Sequence, residues 1–149
     1  MAPVALVATG ATVVSKANSY FYTVVTNGQT CYSTTATYVR IITSGIKSAG
    51  GSIPVSLGYD TANIAGKCTR GKLQVVLLNV WKTDPATGYD VGEIALSAFA
   101  SVNLGRLQSI AFESPIQPMG VTITLHSISF AYEAFGASGS VTTTTLGDA

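Results

Sequence analysis

The stretch from Gly120 to Phe135 (GVTITLHSISFAYEAF) constrains the fold more than any other part of this chain. Up to Leu125 its apolar residues alternate with threonines, which is the period-two pattern of a β-strand. After His126 the alternation shifts by one residue, and Ile128 and Phe130 belong to the new apolar set. A shift of this kind is what a β-bulge produces. The sequence therefore predicts a long central strand of an all-β domain, bent at His126.

Charge and hydropathy limit what kind of protein this is. Of the 149 residues 47% are hydrophobic and 10% are charged, and eight basic and seven acidic residues leave a formal charge of +1. Globular proteins usually carry about 25% charged residues, and a small monomer with so little charge is poorly soluble near neutral pH. We therefore expect partner chains to cover much of the surface. No strong field exists to steer nucleic acid or an anionic membrane.

Neither a membrane span nor a secretory signal is evident. No run of about 18 apolar residues occurs, and residues 1–16 lack the charged and apolar regions of a signal peptide. A membrane β-barrel needs repeated alternating segments of about ten residues with aromatic girdles, which the sequence provides only in part. We expect a virion location if the protein is viral, and otherwise a cytoplasmic or surface assembly.

Several other segments carry β-strand signals separated by turn residues. The aromatic and β-branched runs 19–26 and 30–43 flank Asn27-Gly28, a pair typical of a type I′ hairpin because both turn positions need positive φ. Further strands are expected at 53–57, 72–81 and 107–113. About eight short strands in all predict a single β domain over residues 1–149, a β-sandwich or a jelly-roll-like barrel.

A short helix is expected near 91–104. Asp90 followed by Glu93 resembles a capping box, and Gly105 fits the position after a helix end. A strand is the alternative, because Ile94 and the residues after it also alternate.

The two ends of the chain are expected to differ in role from its middle. Residues 1–16 are predicted to form an N-terminal arm or an edge strand. Residues 137–149 contain the β-prone run VTTTT without a sequence partner nearby. They are predicted to be a flexible tail or an arm that adds a strand to a neighbouring subunit.

Two groups of residues are candidates for contacts with partners. Segment 72–81 is apolar on both faces, which is typical of a strand buried between layers or at an interface. We expect segment 120–135 likewise to turn one side to its own domain and the other to a neighbour. The candidate anion-contact loop carries the one basic cluster, Lys67, Arg70 and Lys72. The candidate subunit-interface residues are Val76, Leu78, Val80, Val141 and Thr143.

The chemically reactive residues form no catalytic or metal-binding signature. His126 is the only histidine, and the two cysteines, Cys31 and Cys68, lack the spacing of zinc ligands. No nucleophile-elbow or phosphate-loop motif is present. The cysteines form either one disulfide or two free thiols. We therefore predict no enzymatic activity, no catalytic residue, no cofactor and no metal, with His126 as a structural residue at the bend.

These features favour a structural assembly subunit, with a viral capsid or other virion structural protein as the specific expectation. Its partners are then copies of itself and other subunits, with nucleic acid or glycan as weaker alternatives. The alternative function is a β-sandwich binding module, lectin- or adhesin-like, that recognises a glycan or a protein. A hydrolase on a β-scaffold comes third.

Overall fold

The fold is an all-β sandwich, as the sequence predicted. The computed structural model describes residues 5–8, 11–14, 21–25, 30–112, 117–118, 120 and 122–136. Within these residues the chain forms ten strands and one turn of 3-10 helix, arranged in two antiparallel sheets. The described strands do not close into a barrel, so the sandwich is the correct one of the two predicted architectures.

The larger sheet contains the long strand that was predicted as central. Its strands are β1 (Ala5–Ala8), β2 (Ala11–Val14), β4 (Tyr38–Ser44), β7 (Lys82–Thr83), β8 (Asp90–Ala95) and β10 (Thr122–Ala131). The order is β1-β10-β4-β8-β7, and β2 also pairs with β10. β10 therefore lies inside the sheet, between β4 and the two N-terminal strands.

The smaller sheet has four strands. They are β3 (Phe21–Val24), β5 (Ile53–Tyr59), β6 (Lys72–Leu78) and β9 (Leu107–Phe112). Their order is β3-β9-β5-β6, which places β6 at an edge.

The phase shift at His126 is a β-bulge. The pairing of β10 with β4 shifts its register between Leu125 and Ser127. Leu125 before the bulge and Ile128 after it are both fully buried in the same core. The expectation that the strand divides between its own domain and a neighbour is therefore wrong. The extra residue resets the alternation, so that both apolar sets face the same core.

The core lies between the sheets and draws side chains from both. Trp81 belongs to it, and its indole Nε1 donates a hydrogen bond to the Gly51 carbonyl at 3.0 Å. Gly92 on β8 lies directly against Trp81 and Leu78, leaving no room for a Cβ at that position. The core also contains Val39, Ile41, Ile128 and Phe130 from the larger sheet and Val55, Leu57, Ile110 and Phe112 from the smaller one.

The predicted hairpin around Asn27-Gly28 is wrong, although both flanking runs contain strands. β3 pairs with β9 in the smaller sheet, whereas β4 pairs with β8 and β10 in the larger sheet. The connection passes from one sheet to the other: Tyr32 bridges to Leu107, and the Thr37 N–H donates to the Ala131 carbonyl. Residues 26–29 themselves lie outside the described residues.

The helix expected near 91–104 is a strand followed by a single helical turn. β8 takes the first half, and only Leu96–Ala98 form a 3-10 helix. The side chains that resembled a capping box bind elsewhere, because Asp90 accepts from the Lys47 N–H and Glu93 pairs with an arginine of β4. Among the described residues no helix is long and apolar enough to cross a membrane.

Cys31 and Cys68 form a disulfide, a pairing that the sequence left open. Their Cα atoms lie 5.1 Å apart across 37 positions of sequence. The bridge ties the segment before β4 to the loop between β5 and β6. This loop is therefore covalently attached to the body of the sandwich.

Candidate functional site

Among the described strands, β6 lies at an edge of the smaller sheet with one unpaired side. It pairs with β5 along its whole length, from Lys72 opposite Tyr59 to Leu78 opposite Ile53. No described strand pairs with its other side. An edge of this kind presents backbone N–H and C=O groups that a further strand can bind.

The side chains of β6 divide between two faces of the sheet with different exposure. Leu78 is 3% exposed and belongs to the core, and Val76 packs against that core. Leu73, Val75 and Leu77 lie on the opposite, outer face and are 37%, 44% and 55% exposed. Segment 72–81 was predicted to lie between layers or at an interface. Within the chain itself it is buried on one face only, so it does not lie between two layers of the fold.

Val80 adds to the exposed apolar surface just after the strand ends. It is 70% exposed. Of the five exposed large hydrophobic residues in the described part of the chain, four fall within the eight positions from 73 to 80. Single exposed hydrophobics are normal, whereas a group concentrated in one place marks an interaction site. Leu73, Val75 and Leu77 share the outer face of β6, and we call these three residues the β6 patch.

The structure places the predicted subunit-interface residues in different environments. Leu78 is a core residue, Val76 is half-buried against the core, and Val80 is exposed. Val141 and Thr143 lie outside the described residues. The apolar face that is open to a partner is therefore the opposite one from that of Val76 and Leu78. The residues that sequence reasoning missed are Leu73, Val75 and Leu77.

The predicted anion-contact residues lie on, or at the end of, the loop between β5 and β6. Lys67, Arg70 and Lys72 are all exposed. The Lys67 carbonyl accepts a hydrogen bond from Arg106 Nη2 at 3.1 Å, which brings a fourth cation to the loop. The aliphatic part of Arg70 covers Gly58, where a Cβ would lie 2.6 Å from Arg70 Cδ. The Arg70 side chain therefore packs along the sheet.

A buried carboxylate organises this loop. Asp60 is 2% exposed and accepts hydrogen bonds from the backbone N–H groups of Asn63 at 2.9 Å and Thr69 at 3.1 Å. Arg106 lies beside it, with Nη2 at 2.8 Å from Oδ2. These interactions hold the pKa of Asp60 well below its usual range, and the two backbone hydrogen bonds contribute most to the lowering. Asp60 also neutralises Arg106, which leaves less positive charge for an anion.

A groove on the outer face of the larger sheet is the second candidate site. Its volume is about 260 Å³, and it is lined by Tyr38, Val80, Lys82, Val91, Glu93, Ala134 and Phe135. The Glu93 carboxylate already accepts hydrogen bonds from Arg40 Nε at 2.6 Å and from the Phe135 N–H at 2.9 Å. Small-molecule sites usually enclose about 300–1,000 Å³, so this groove is small. Its one carboxylate, Glu93, is already hydrogen-bonded within the chain.

His126 packs within the protein, and no catalytic arrangement surrounds it among the described residues. Its ring stacks on Tyr89 with centroids 3.8 Å apart, and its Nε2 lies 3.2 Å from Ser44 Oγ. A catalytic triad also requires a carboxylate that orients the imidazole, and no described hydrogen bond of His126 reaches one. The described residues contain no group of three or more His, Cys, Asp or Glu placed to hold a metal ion.

Comparisons with protein-family models, with curated proteins and with solved structures find no match to this chain. The fold and the surface define an all-β sandwich in which β6 has an apolar outer face and, among the described strands, one free side. A fold by itself does not imply a function, and the surface features that distinguish this chain are the β6 patch and the groove.

Proposed function

We propose that this protein is a structural subunit that self-associates through the β6 patch. One observation carries the proposal: exposed apolar side chains are concentrated on an edge strand that has a free backbone side within the described residues. Apolar side chains supply the free energy of association, and the free backbone groups supply direction. The low charge of the chain supports the same conclusion, because copies with a formal charge of +1 repel each other weakly.

The size of the patch indicates how strong one such contact is. Complete burial of a Val or Leu side chain contributes about 1.5–3 kcal/mol. Leu73, Val75 and Leu77 are about half exposed, so their burial on each of two copies contributes at most about 4.5–9 kcal/mol. Edge-to-edge pairing of β6 leaves the outer face of the sheet open and realises only part of this free energy. Association of two proteins costs about 4–15 kcal/mol in lost freedom of motion. A single β6 contact is accordingly weak to moderate, which suits a subunit that is held in place by several contacts at once.

A virion or another multi-subunit assembly is the setting that we propose for such a subunit, with copies of itself and other subunits as its partners. Residues 137–149 are proposed to contribute as a partner-pairing arm. Trimming the chain after Gly136 tests that part separately. If the trimmed protein forms the same large species as the full chain, the arm has no part in assembly.

A binding module is the second candidate, and the groove beside Tyr38 and Phe135 is the observation that favours it. Two aromatic side chains next to Lys82 suit a sugar ring or an acidic peptide. The groove is the weaker candidate because of its small volume and because Glu93 is already bound.

Size-exclusion chromatography with light scattering over a wide range of concentrations tests self-association. We expect the mass of the wild type to rise with concentration. In Val75→Lys, a lysine on the edge strand should shift the rise to clearly higher concentration. Ile64→Lys is the matched control, because Ile64 is 52% exposed and lies outside the β6 patch. A wild-type protein that stays monomeric at every concentration overturns the proposal.

A further inference from the structure

We infer that β6 pairs with β6 of a second copy, antiparallel and about a two-fold axis at Val75. The two four-stranded sheets then become one sheet of eight strands across the dimer. This inference rests on the proposed function and adds the partner strand, its direction and its register. A two-fold contact of this kind uses the same residues on both copies.

The register follows from the residues of β6. In an antiparallel pair, directly opposed residues lie on the same face of the sheet. Opposing Val75 to itself places Leu73 of each copy opposite Leu77 of the other. The outer face then carries three consecutive apolar pairs. Pairs of this type contribute roughly 0.2–1 kcal/mol each relative to alanine.

Neighbouring two-fold registers are poorer. With the axis at Gln74, Leu73 opposes Val75 of the other copy, and Leu77 extends beyond the paired region. With the axis at Val76, Leu77 opposes Val75, and Leu73 is left without an apolar partner. Only the axis at Val75 pairs all three outer apolar residues with one another.

Charge is compatible with the register centred on Val75. Lys72 is the only charged residue of β6. In the register centred on Val75 it lies opposite Leu78, so the two lysines are at opposite ends of the paired strands. Like charges that face each other across a strand pair are destabilising, and this arrangement avoids them.

The edge is held in position before any partner binds. Gln74, on the inner face, accepts a hydrogen bond from the Ser101 N–H at 2.9 Å, and its Nε2 donates to the Ala98 carbonyl at 3.4 Å. On its other side β6 pairs with β5 at every residue. A strand that is already ordered loses less conformational freedom on association.

The two-fold contact also limits growth. Each copy has one β6, and the pairing uses the free edge of β6 in each of the two copies. This contact therefore stops at two copies. A larger assembly must therefore be built from dimers that meet through other surfaces.

Site-directed disulfide cross-linking of the full-length chain tests the register. Both native cysteines, Cys31 and Cys68, are in the intrachain bridge, so a single introduced cysteine is the only free thiol. Directly opposed Cβ atoms lie about 4.5–5.5 Å apart, close to the distance that a disulfide requires. We expect Val75→Cys to form covalent dimers under mild oxidation.

The matched controls are Leu73→Cys and Leu77→Cys. In a dimer of either variant by itself, the thiols of the two copies are four residues apart along the strands, about 13 Å. Each variant should therefore yield several-fold less covalent dimer than Val75→Cys. An equimolar mixture of the two should form the mixed dimer, because these positions oppose each other.

The outcomes separate this inference from the proposed function. If the mass rises with concentration but the Leu73→Cys variant cross-links to itself, or the Val75→Cys variant does not, the proposed β6–β6 register is wrong. Self-association would still stand in either case. An amide bond between Lys72 and Asp148, formed by carbodiimide coupling of the amine and the carboxylate with loss of water and detected by mass spectrometry, also overturns the register, since the occupant of the edge is then the C-terminal arm. A wild-type protein that never associates overturns both.

Discussion

At the scale of single residues, one carboxylate fastens the segment after β10 to the sheet. Arg40 is 2% exposed, and its Nε donates to Glu93 Oε2 at 2.6 Å. The Phe135 N–H donates to both oxygens of Glu93, and the Arg40 guanidinium lies 5.8 Å from the Phe135 ring centroid. The charge pair, the ring and the backbone therefore form one connected cluster.

Replacing Arg40 by methionine is expected to destabilise the protein strongly. The change leaves the Glu93 carboxylate mostly buried without its cation, and breaking a buried pair in this way costs about 3–5 kcal/mol. Urea unfolding measures the loss. Arg40→Met combined with Glu93→Leu should lose clearly less than the sum of the two single variants. Strictly additive losses would show that the two side chains do not stabilise each other.

Asp60 is expected to make the stability depend on pH at the acidic end. Because its pKa is lowered in the folded state, the stabilisation is complete above the unfolded-state pKa of about 3.9 and is lost as pH falls through the folded-state pKa. Asp60→Asn should therefore melt lower than the wild type at pH 7, and the difference should narrow below about pH 4.

Thermal melts of both proteins across this range check the prediction. Asp84→Asn is the control, because Asp84 caps an exposed turn through the Ala86 N–H and should melt close to the wild type. A difference between Asp60→Asn and the wild type that widens on acidification would contradict the assigned role of Asp60.

At the scale of elements, packing between strands decides how much space each one has. A Cβ at Gly92 of β8 would lie 2.6 Å from Trp81 Cζ3 and 2.8 Å from Leu78 Cδ2. Overpacking of a core costs about 1–3 kcal/mol, so Gly92→Ala should lose a free energy of unfolding in this range. Trp81 is the only tryptophan, so its fluorescence reports the disturbance. Gly105→Ala, in an exposed turn, should leave both stability and emission nearly unchanged.

The disulfide is expected to contribute substantially to the free energy of unfolding. Closing a loop across 37 positions corresponds to about 4 kcal/mol in the chain-entropy account of disulfide stabilisation. The double variant Cys31→Ser with Cys68→Ser should lose stability of this order in urea unfolding. A reducing agent should destabilise the wild type by the same amount and leave the double variant unaffected. A wild type that is indifferent to reduction would show that the bridge adds no stability.

At the scale of the whole molecule, apolar rather than ionic contacts are expected to hold copies together. Sulfate strengthens apolar burial because it is excluded from protein surfaces, so it should shift association to lower concentration. Sodium chloride screens charge and should have little effect on a chain with a formal charge of +1. Light scattering in each salt measures the shift. Dissociation by sodium chloride would instead point to the basic loop with Lys67 and Lys72.

Local patterns in the sequence were sufficient for the class of the fold and for its longest strand. The alternation of residues 120–135 predicts β10, and the phase shift predicts the bulge at His126, because both are properties of neighbouring residues. The strands at 53–57 and 107–113 follow from the same kind of signal and are confirmed as β5 and β9. The sequence by itself therefore determined that this is a β protein with a bulged central strand.

Tertiary contacts decided which strands are neighbours and which face of each strand is buried. Asn27-Gly28 favours a hairpin, yet β3 and β4 belong to different sheets, because strand partners are chosen among residues far apart in sequence. Either face of β6 is apolar enough for a core, and only the packing of the other sheet shows that Val76 and Leu78 face inward. Leu73, Val75 and Leu77 are consequently left exposed, and it is this outward face that carries the proposed function.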